Sequence, residues 1–168
     1  MSAATVHIVD DDESFLRAVT RLLRASGFEV KTFVSAADFL AQPLQRARGC
    51  IISDLQMPEM NGLAFQEALT HAGYTMPVIM LSMTADKKYI DTSMEQGANA
   101  YLHKSCDANE IGRAISAIGQ QKKYISDAVN YVNTSTVKVS INSEYYLKEA
   151  LTKREVEILT LYCDGLST

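Results

Sequence analysis

The sequence predicts an α/β fold in which five parallel strands form one sheet with helices on both faces. Short apolar runs alternate with stretches that have apolar residues at helical spacing, which is typical of repeated strand–helix units. The apolar runs are continuous rather than alternating, as in strands that are buried on both faces. Five such units fit within about 120 residues. Parallel strands at this spacing require right-handed crossovers.

The first unit lies near the N-terminus. An apolar run that begins at Thr5 leads into three acidic residues, Asp10, Asp11 and Asp12. Apolar residues then recur at helical spacing until Gly27, where the predicted helix ends.

The second and third units have the same form. A short strand over 29–33 precedes a brief helix, and Ser35 with Asp38 three residues later matches a helix-capping pair. The third strand ends at Asp54, and a loop containing Pro and Gly separates it from a helix over 62–71.

The fourth and fifth units complete the predicted sheet. The fourth strand ends at Ser82 and the fifth ends at Lys104. A second capping pair, Asp107 and Glu110, starts the last helix. The predicted ranges are 77–82 and 98–104 for the two strands and 86–96 for the helix between them.

Carboxylates follow two of these strands. Because the carboxyl ends of parallel strands line the ligand crevice, Asp10, Asp11 and Asp54 are predicted to converge. Three unpaired carboxylates would raise one another's pKa unless a cation lies among them, and an oxygen-only cluster suits Mg²⁺. Two simpler alternatives are that the first acids only stabilise the positive end of the following helix, and that Asp54 only caps a turn.

The strand ends together supply what phosphoryl transfer to a carboxylate needs. Asp54 can be the nucleophile, because an aspartyl phosphate is an established covalent intermediate. Mg²⁺ on Asp11, Asp54 and a backbone carbonyl would offset charge on the phosphoryl oxygens. Lys104 and the Ser82 hydroxyl would bind the remaining oxygens. Positioning and electrostatics of this kind account for most of the catalysis in phosphoryl transfer.

These motifs resemble the receiver domain of two-component response regulators, over roughly residues 4–122. The resemblance implies a doubly wound, flavodoxin-like sheet with strand order 2-1-3-4-5. It implies that Asp54 is the phosphoacceptor, and that Asp10 and Asp11 bind Mg²⁺ together with Asp54. Gln56 would lend its backbone carbonyl to the same ion.

The resemblance also assigns residues to the response. Ser82 would be the switch hydroxyl, Lys104 the phosphate-binding lysine and Tyr101 the aromatic switch. The alternative for Tyr101 is an ordinary half-buried tyrosine with its hydroxyl in water. Many receivers have a cis proline after the lysine, where this chain has Ser105. A trans bond is expected here, because a cis bond before a non-proline residue costs roughly 3 kcal/mol.

The family implies a switch rather than a turnover enzyme. A sensor histidine kinase would donate the phosphoryl group, and phosphorylation would promote a dimer through the fourth helix, fifth strand and fifth helix. The alternative is an Mg²⁺-dependent phosphatase of the haloacid dehalogenase type. That family has a second Asp two residues after the nucleophile, where this chain has Gln56.

The C-terminal part has a different character. A short helix over 124–132 and a polar linker over 123–147 are predicted. Residues 148–168, with the capping box Thr152 and Glu155, resemble the start of a LuxR-type helix-turn-helix domain of NarL/FixJ-type regulators. We expect a truncated output domain, so that DNA is a partner of the full-length protein and not of this chain. The formal net charge of −4 also argues against a large nucleic-acid surface.

Composition allows further expectations. The segment up to Leu81 has one Lys and five Arg, whereas the remainder has eight Lys and two Arg. Two explanations stay open: chance together with a polar linker, or a chimera of two receivers joined near the fourth strand. Three widely spaced Cys residues indicate neither a disulfide framework nor a zinc site. The three His residues are interpreted as structural or surface residues. With no signal sequence or long apolar run, we expect a cytoplasmic protein without a membrane partner.

Overall fold

The computed structural model describes residues 4–129, and these form a parallel sheet flanked by helices. Among them, six strands lie in the order β2-β1-β3-β4-β5-β6. The predicted order 2-1-3-4-5 is confirmed, and a short sixth strand extends it. The strands are β1 (Thr5–Val9), β2 (Glu29–Phe33), β3 (Gly49–Asp54), β4 (Val78–Ser82), β5 (Ala100–His103) and β6 (Tyr124–Ile125).

Five helices of five residues or more connect the described strands, and a polar N-cap residue starts each of them. Ser35 accepts a hydrogen bond from the Asp38 amide at 3.1 Å, and Asp107 accepts one from the Glu110 amide at 2.7 Å. The N-cap residue of each predicted pair therefore caps its helix, because these oxygens satisfy amides that have no partner within the helix. The helices are α1 (Glu13–Ala25), α2 (Ala36–Leu40), α3 (Gly62–His71), α4 (Lys87–Glu95) and α5 (Ala108–Gly119).

Buried apolar residues cover both faces of the sheet. One cluster joins β1 and β3 to α1 and α5, and includes Ile8, Ile52 and Leu23. A second cluster, with Phe39 and Phe65 at its centre, packs α2 and α3 on the opposite face. The continuous apolar runs in the sequence follow from this double coverage.

The sixth strand corrects one prediction. A helix was expected over 124–132, but Tyr124 and Ile125 pair in parallel with Ala100 and Tyr101 of β5, and within the described residues the helical conformation starts only at Asp127. The Ser126 amide continues this pairing by donating to the Tyr101 carbonyl at 2.8 Å. The strand conformation is favoured because it satisfies backbone hydrogen-bonding groups on the open edge of β5.

Glu110 also differs from its predicted role. Its carboxylate accepts hydrogen bonds from the Ser126 hydroxyl at 2.7 Å and the Asp127 amide at 3.0 Å. It therefore fixes the segment after β6 to α5, while Asp107 alone supplies the cap of α5. Val129, which follows on this segment, is fully buried in the same cluster as Tyr101.

Two further expectations concern the backbone and the ends of the chain. The peptide bonds of residues 4–129 are all trans, so the bond before Ser105 is trans as expected. No helix in the same part of the chain is long and apolar enough to cross a membrane. Most of the predicted linker and all of the predicted helix-turn-helix segment, 148–168, lie outside the described residues.

Candidate functional site

The strand ends of β1 and β3 bring three carboxylates together. Val9 and Ser53 are register partners, so the residues that follow them, Asp10 and Asp54, lie at the same edge of the sheet. One carboxylate oxygen from each of Asp10, Asp11 and Asp54 lies within 4.8 Å of the others. Asp10 and Asp54 are 0% and 4% exposed, whereas Asp11 faces solvent. The cluster is thus buried on one side and open on the other.

Lys104 lies between the two buried carboxylates. Its Nζ is 2.8 Å from Asp10 Oδ2 and 3.1 Å from Asp54 Oδ2. The same Nζ lies 4.8 Å from the centre of the Phe15 ring, at a distance that favours a cation–π interaction. The lysine that was assigned to phosphate binding therefore also lies against the carboxylates predicted to hold Mg²⁺.

Backbone amides contact the other carboxylate oxygens. Asp54 Oδ1 accepts from the Gln56 amide at 3.2 Å, and Asp10 Oδ1 accepts from the Asp12 amide at 2.9 Å. Asp12 in turn caps α1, because its side chain accepts from the Ser14 amide at 2.8 Å. The helix-stabilising role considered for all three N-terminal acids therefore belongs to Asp12.

Gly62 allows α3 to start against the backbone of β3. A Cβ at this position would lie 2.5 Å from the Asp54 carbonyl oxygen and 2.9 Å from Leu55 Cα. Because backbone atoms cannot move aside cheaply, a larger residue would displace either the helix or the strand end. The glycine thus allows α3 to begin in close contact with the backbone that carries Asp54.

Burial and mutual repulsion set the protonation of the cluster. Burial, together with the neighbouring Asp10 charge, raises the pKa of Asp54 from 3.8 to about 6 against the opposing effect of Lys104. Burial likewise raises the pKa of Asp10. Burial alone would lower the pKa of Lys104, but its contacts with Asp10 and Asp54 outweigh this effect and the net change is upward. One lysine therefore offsets only part of the negative charge.

This imbalance predicts a pH dependence of stability without metal. Between pH 4 and pH 6 the native state binds more protons at Asp54 than the unfolded chain does, so the free energy of unfolding falls as pH rises. The loss attributable to Asp54 is about 3 kcal/mol, since one pKa unit corresponds to about 1.4 kcal/mol. Urea denaturation in EDTA at several pH values measures it. Asp54→Asn should remove this contribution, and identical profiles for both proteins would contradict the assignment.

The donor set fits a magnesium ion. Three carboxylates that share one opening are hard oxygen ligands, and Mg²⁺ is usually bound by few protein oxygens with water completing its shell. The raised pKa of Asp54 reflects its burial and a neighbouring negative charge that Lys104 does not fully compensate. The structure does not test the Gln56 carbonyl as a ligand, and that assignment stays a prediction.

Ser82 and Tyr101 both contact the loop after β4. The Ser82 hydroxyl accepts a hydrogen bond from the Thr84 amide at 3.1 Å. The Tyr101 hydroxyl donates to the Thr84 carbonyl at 2.9 Å, and the residue is fully buried. Tyr101 is therefore not a half-buried side chain with its hydroxyl in water. The two predicted switch residues meet at Thr84, which no sequence motif indicated.

His103 is a second residue at the site that no sequence motif indicated. Its ring contacts Met83 beyond the end of β4 and Ser105 beyond Lys104. The acceptors at Thr84 and Met83 are backbone carbonyls, which any residue type provides. The sequence therefore carried no signal for either contact.

Comparison with known proteins gives consistent matches. Residues 6–116 match the family described as "Response regulator receiver domain". The transcriptional regulatory protein TdiR of Thauera aromatica is 30% identical over 167 residues, which cover 99% of this chain and 70% of TdiR. The response regulator protein TmoT of Ectopseudomonas mendocina is 33% identical over 166 residues, which cover 96% of this chain and 70% of TmoT.

Solved structures agree with the sequence matches. The crystal structure of FixJ-N is 32% identical with a TM-score of 0.64, and the alignment covers 69% of this chain and 93% of FixJ-N. The chemotaxis protein CheY4 of Vibrio cholerae is 30% identical with a TM-score of 0.62, and its alignment covers 68% of this chain and 98% of CheY4. Each alignment covers a fraction of this chain similar to the fraction that the structure describes.

Proposed function

Since the chain belongs to the response regulator receiver family, we propose that it accepts a phosphoryl group on Asp54 from a sensor histidine kinase and thereby controls transcription. The proposal assigns 4–122 to the receiver domain, 123–147 to a linker and 148–168 to the start of a LuxR-type helix-turn-helix domain. The observation that carries it is the buried Asp54 carboxylate, 3.1 Å from Lys104 and within 4.8 Å of two further carboxylates at the open edge of the sheet.

In the proposed reaction Asp54 is the nucleophile. One of its carboxylate oxygens forms a bond to phosphorus as the phosphorus–nitrogen bond of the kinase phosphohistidine breaks, and the imidazole leaves with the electron pair. Asp54 becomes an acyl phosphate, and each chain accepts one phosphoryl group. The raised pKa of Asp54, about 6, still leaves the nucleophile ionised at neutral pH.

Lys104 is proposed to change partners during the reaction. It contacts Asp10 and Asp54 in the described structure, and the phosphoryl oxygens would offer it a new anion at almost the same place. Because Lys104 is largely buried, its charge is poorly screened and stabilises charge developing on the transferred group.

Asp10, Asp11, Asp54 and the Gln56 carbonyl would hold Mg²⁺. When bound, the ion would offset the charge of the phosphoryl oxygens and of the acidic cluster. Asp11 is the exposed member of the set, so it can bind an ion that enters from solvent.

The proposed response starts at the loop that joins Ser82, Thr84 and Tyr101. A phosphoryl group that draws the Ser82 hydroxyl toward it would break the hydrogen bond from the Thr84 amide. The loop after β4, which Tyr101 also contacts at Thr84, would then favour a different conformation. Phosphorylation would then shift a population between two packings. Self-association would use α4, β5 and α5, although β6 covers the outer edge of β5 at Ala100 and Tyr101.

Transcriptional output is proposed from the relatives. TdiR is described as a transcriptional regulatory protein, and its match extends over 99% of this chain. The haloacid dehalogenase alternative is not proposed, because the matched family is a different one and Gln56 occupies the position of that family's second Asp.

Removing Asp11 tests the metal assignment. Asp11→Ala should weaken Mg²⁺ binding at least about tenfold, while the fold remains intact. Removing a residue that only hydrogen-bonds to a metal ligand already costs about tenfold in affinity, and Asp11 is a proposed ligand itself. Titration calorimetry with Mg²⁺ measures the affinity. Asp38→Ala removes an equal charge from the exposed surface of α2 and should bind Mg²⁺ as the wild type does. Equal affinities for both variants would place the ion elsewhere.

A further inference from the structure

We propose that His103 is a positioning residue that ties the loop after β4 to the loop after β5 and thereby sets the separation of Ser82 and Lys104. The inference rests on the proposed function and extends it, because Ser82 and Lys104 are the two side chains assigned to the phosphoryl oxygens.

The ring of His103 makes contacts on both sides. Its Nε2 lies 2.9 Å from the Met83 carbonyl oxygen, and its Nδ1 lies 2.6 Å from the Ser105 hydroxyl. The Ser105 amide also donates to Nδ1, at 3.2 Å. One imidazole therefore bridges the residue after Ser82 and the residue after Lys104.

These contacts require one form of the ring. A carbonyl oxygen can only accept, so Nε2 must carry a proton to bind Met83. The Ser105 amide can only donate, so Nδ1 must be unprotonated to accept from it. The neutral Nε2–H tautomer satisfies both partners, and the Ser105 hydroxyl then donates to Nδ1 as well.

The backbone beside the ring strengthens the connection. The Lys104 amide donates to the Ser82 carbonyl at 2.8 Å, which continues the pairing of β4 with β5, and the Cys106 amide donates to the His103 carbonyl at 2.9 Å. The His103 side chain extends this connection past the end of β4, where its partner Met83 is exposed and part of a loop.

Ser105 supplies the contacts to Nδ1 of the His103 ring. A proline at this position, as the family resemblance would lead one to expect, has no amide proton and could not donate to Nδ1. The serine supplies two donors to the ring, one from its backbone and one from its hydroxyl. The departure from the family pattern at position 105 is therefore the feature that lets His103 bind both loops.

Three variants separate the two contacts. His103→Ala loses both, so the rate constant for phosphorylation by acetyl phosphate should fall about tenfold, as expected when two hydrogen bonds that position the reacting groups are removed. His103→Gln places an amide donor where Nε2 reaches Met83, and His103→Asn places an acceptor where Nδ1 meets Ser105. Each should recover part of the lost rate, which general loss of packing would not explain.

Mg²⁺ affinity serves as the control in the same proteins. His103 is not among the proposed ligands, so all three variants should bind Mg²⁺ as the wild type does in titration calorimetry. This also shows that each variant is folded. Nitrogen-15 NMR of the His103 ring adds a readout independent of phosphorylation, because it distinguishes a protonated from an unprotonated Nδ1.

The outcomes separate this inference from the proposed function. If the wild type is not labelled on Asp54, the proposed function fails. If the wild type is labelled and His103→Ala is labelled at the same rate, the function stands and the positioning role is overturned. A protonated Nδ1 in the wild type at neutral pH would also overturn it. Slower labelling of His103→Ala, partial recovery in the Gln and Asn variants, and an unprotonated Nδ1 support it.

Discussion

Replacing Asp54 with Asn is expected to abolish phosphoryl labelling by acetyl phosphate and to stabilise the protein in the absence of metal. An amide nitrogen cannot replace the carboxylate as nucleophile, so no acyl phosphate forms. The same change removes a buried negative charge beside Asp10, which should raise the free energy of unfolding above pH 6 by about 3 kcal/mol. Intact-protein mass spectrometry measures the first effect and urea denaturation in EDTA the second.

A matched variant separates this result from a general effect of charge. Glu67→Gln changes an exposed carboxylate within α3 and should be labelled and unfold as the wild type does. If Asp54→Asn is labelled as the wild type is, Asp54 is not the phosphoacceptor. A loss of both labelling and stability would indicate that the Asp54→Asn substitution disturbs the fold, and would contradict the electrostatic account of the cluster.

Replacing Lys104 with Met should have the opposite effect on stability. Asp10 and Asp54 would remain buried without their counter-charge, and breaking a buried ion pair from one side typically costs about 3–5 kcal/mol, so we expect a loss of about 3 kcal/mol in EDTA at neutral pH. Met keeps an apolar side chain near the Phe15 ring, so packing is largely preserved. Added Mg²⁺ should recover part of the loss, because it supplies positive charge to the same carboxylates.

The switch should also depend on Lys104. We expect Lys104→Met to retain some labelling by acetyl phosphate but not the shift in oligomeric state that labelling produces in the wild type, which size-exclusion chromatography detects. Lys31→Met is the control, since Lys31 is exposed on β2, the edge strand farthest from α4, β5 and α5 in the strand order. If both substitutions abolish the shift in oligomeric state, the loss is a general effect of removing a lysine charge and not of the position of Lys104.

The sequence was sufficient for features that depend on periodicity and strand ends. Continuous apolar runs predicted the strands because both faces of the sheet are covered, and the position of Asp54 after such a run predicted that it reaches the edge of the sheet. The approach of Asp10 and Asp54 followed from a general rule for parallel sheets. None of these predictions required knowledge of a specific side-chain contact.

The features that could not be predicted depend on such contacts. Glu110 matched a capping box, but its carboxylate instead accepts hydrogen bonds from residues that follow β6, at a sequence separation that no local pattern reveals. Tyr124 and Ile125 suit a helix or a strand, and the free edge of β5 decides between them. The contacts of Lys104 with Asp10 and Asp54 likewise join residues that are far apart in the sequence.

The central claim is that this chain takes one phosphoryl group on Asp54, and peptide mapping after labelling tests it most directly. The protein is incubated with Mg²⁺ and acetyl phosphate, reduced with borohydride, which converts an aspartyl phosphate to homoserine, and then digested and sequenced by mass spectrometry. The account predicts homoserine at position 54 alone, with at most one phosphoryl group per chain and no labelling in EDTA. Modification at another residue, or continued release of phosphate with no labelled Asp54 at any time, would contradict it.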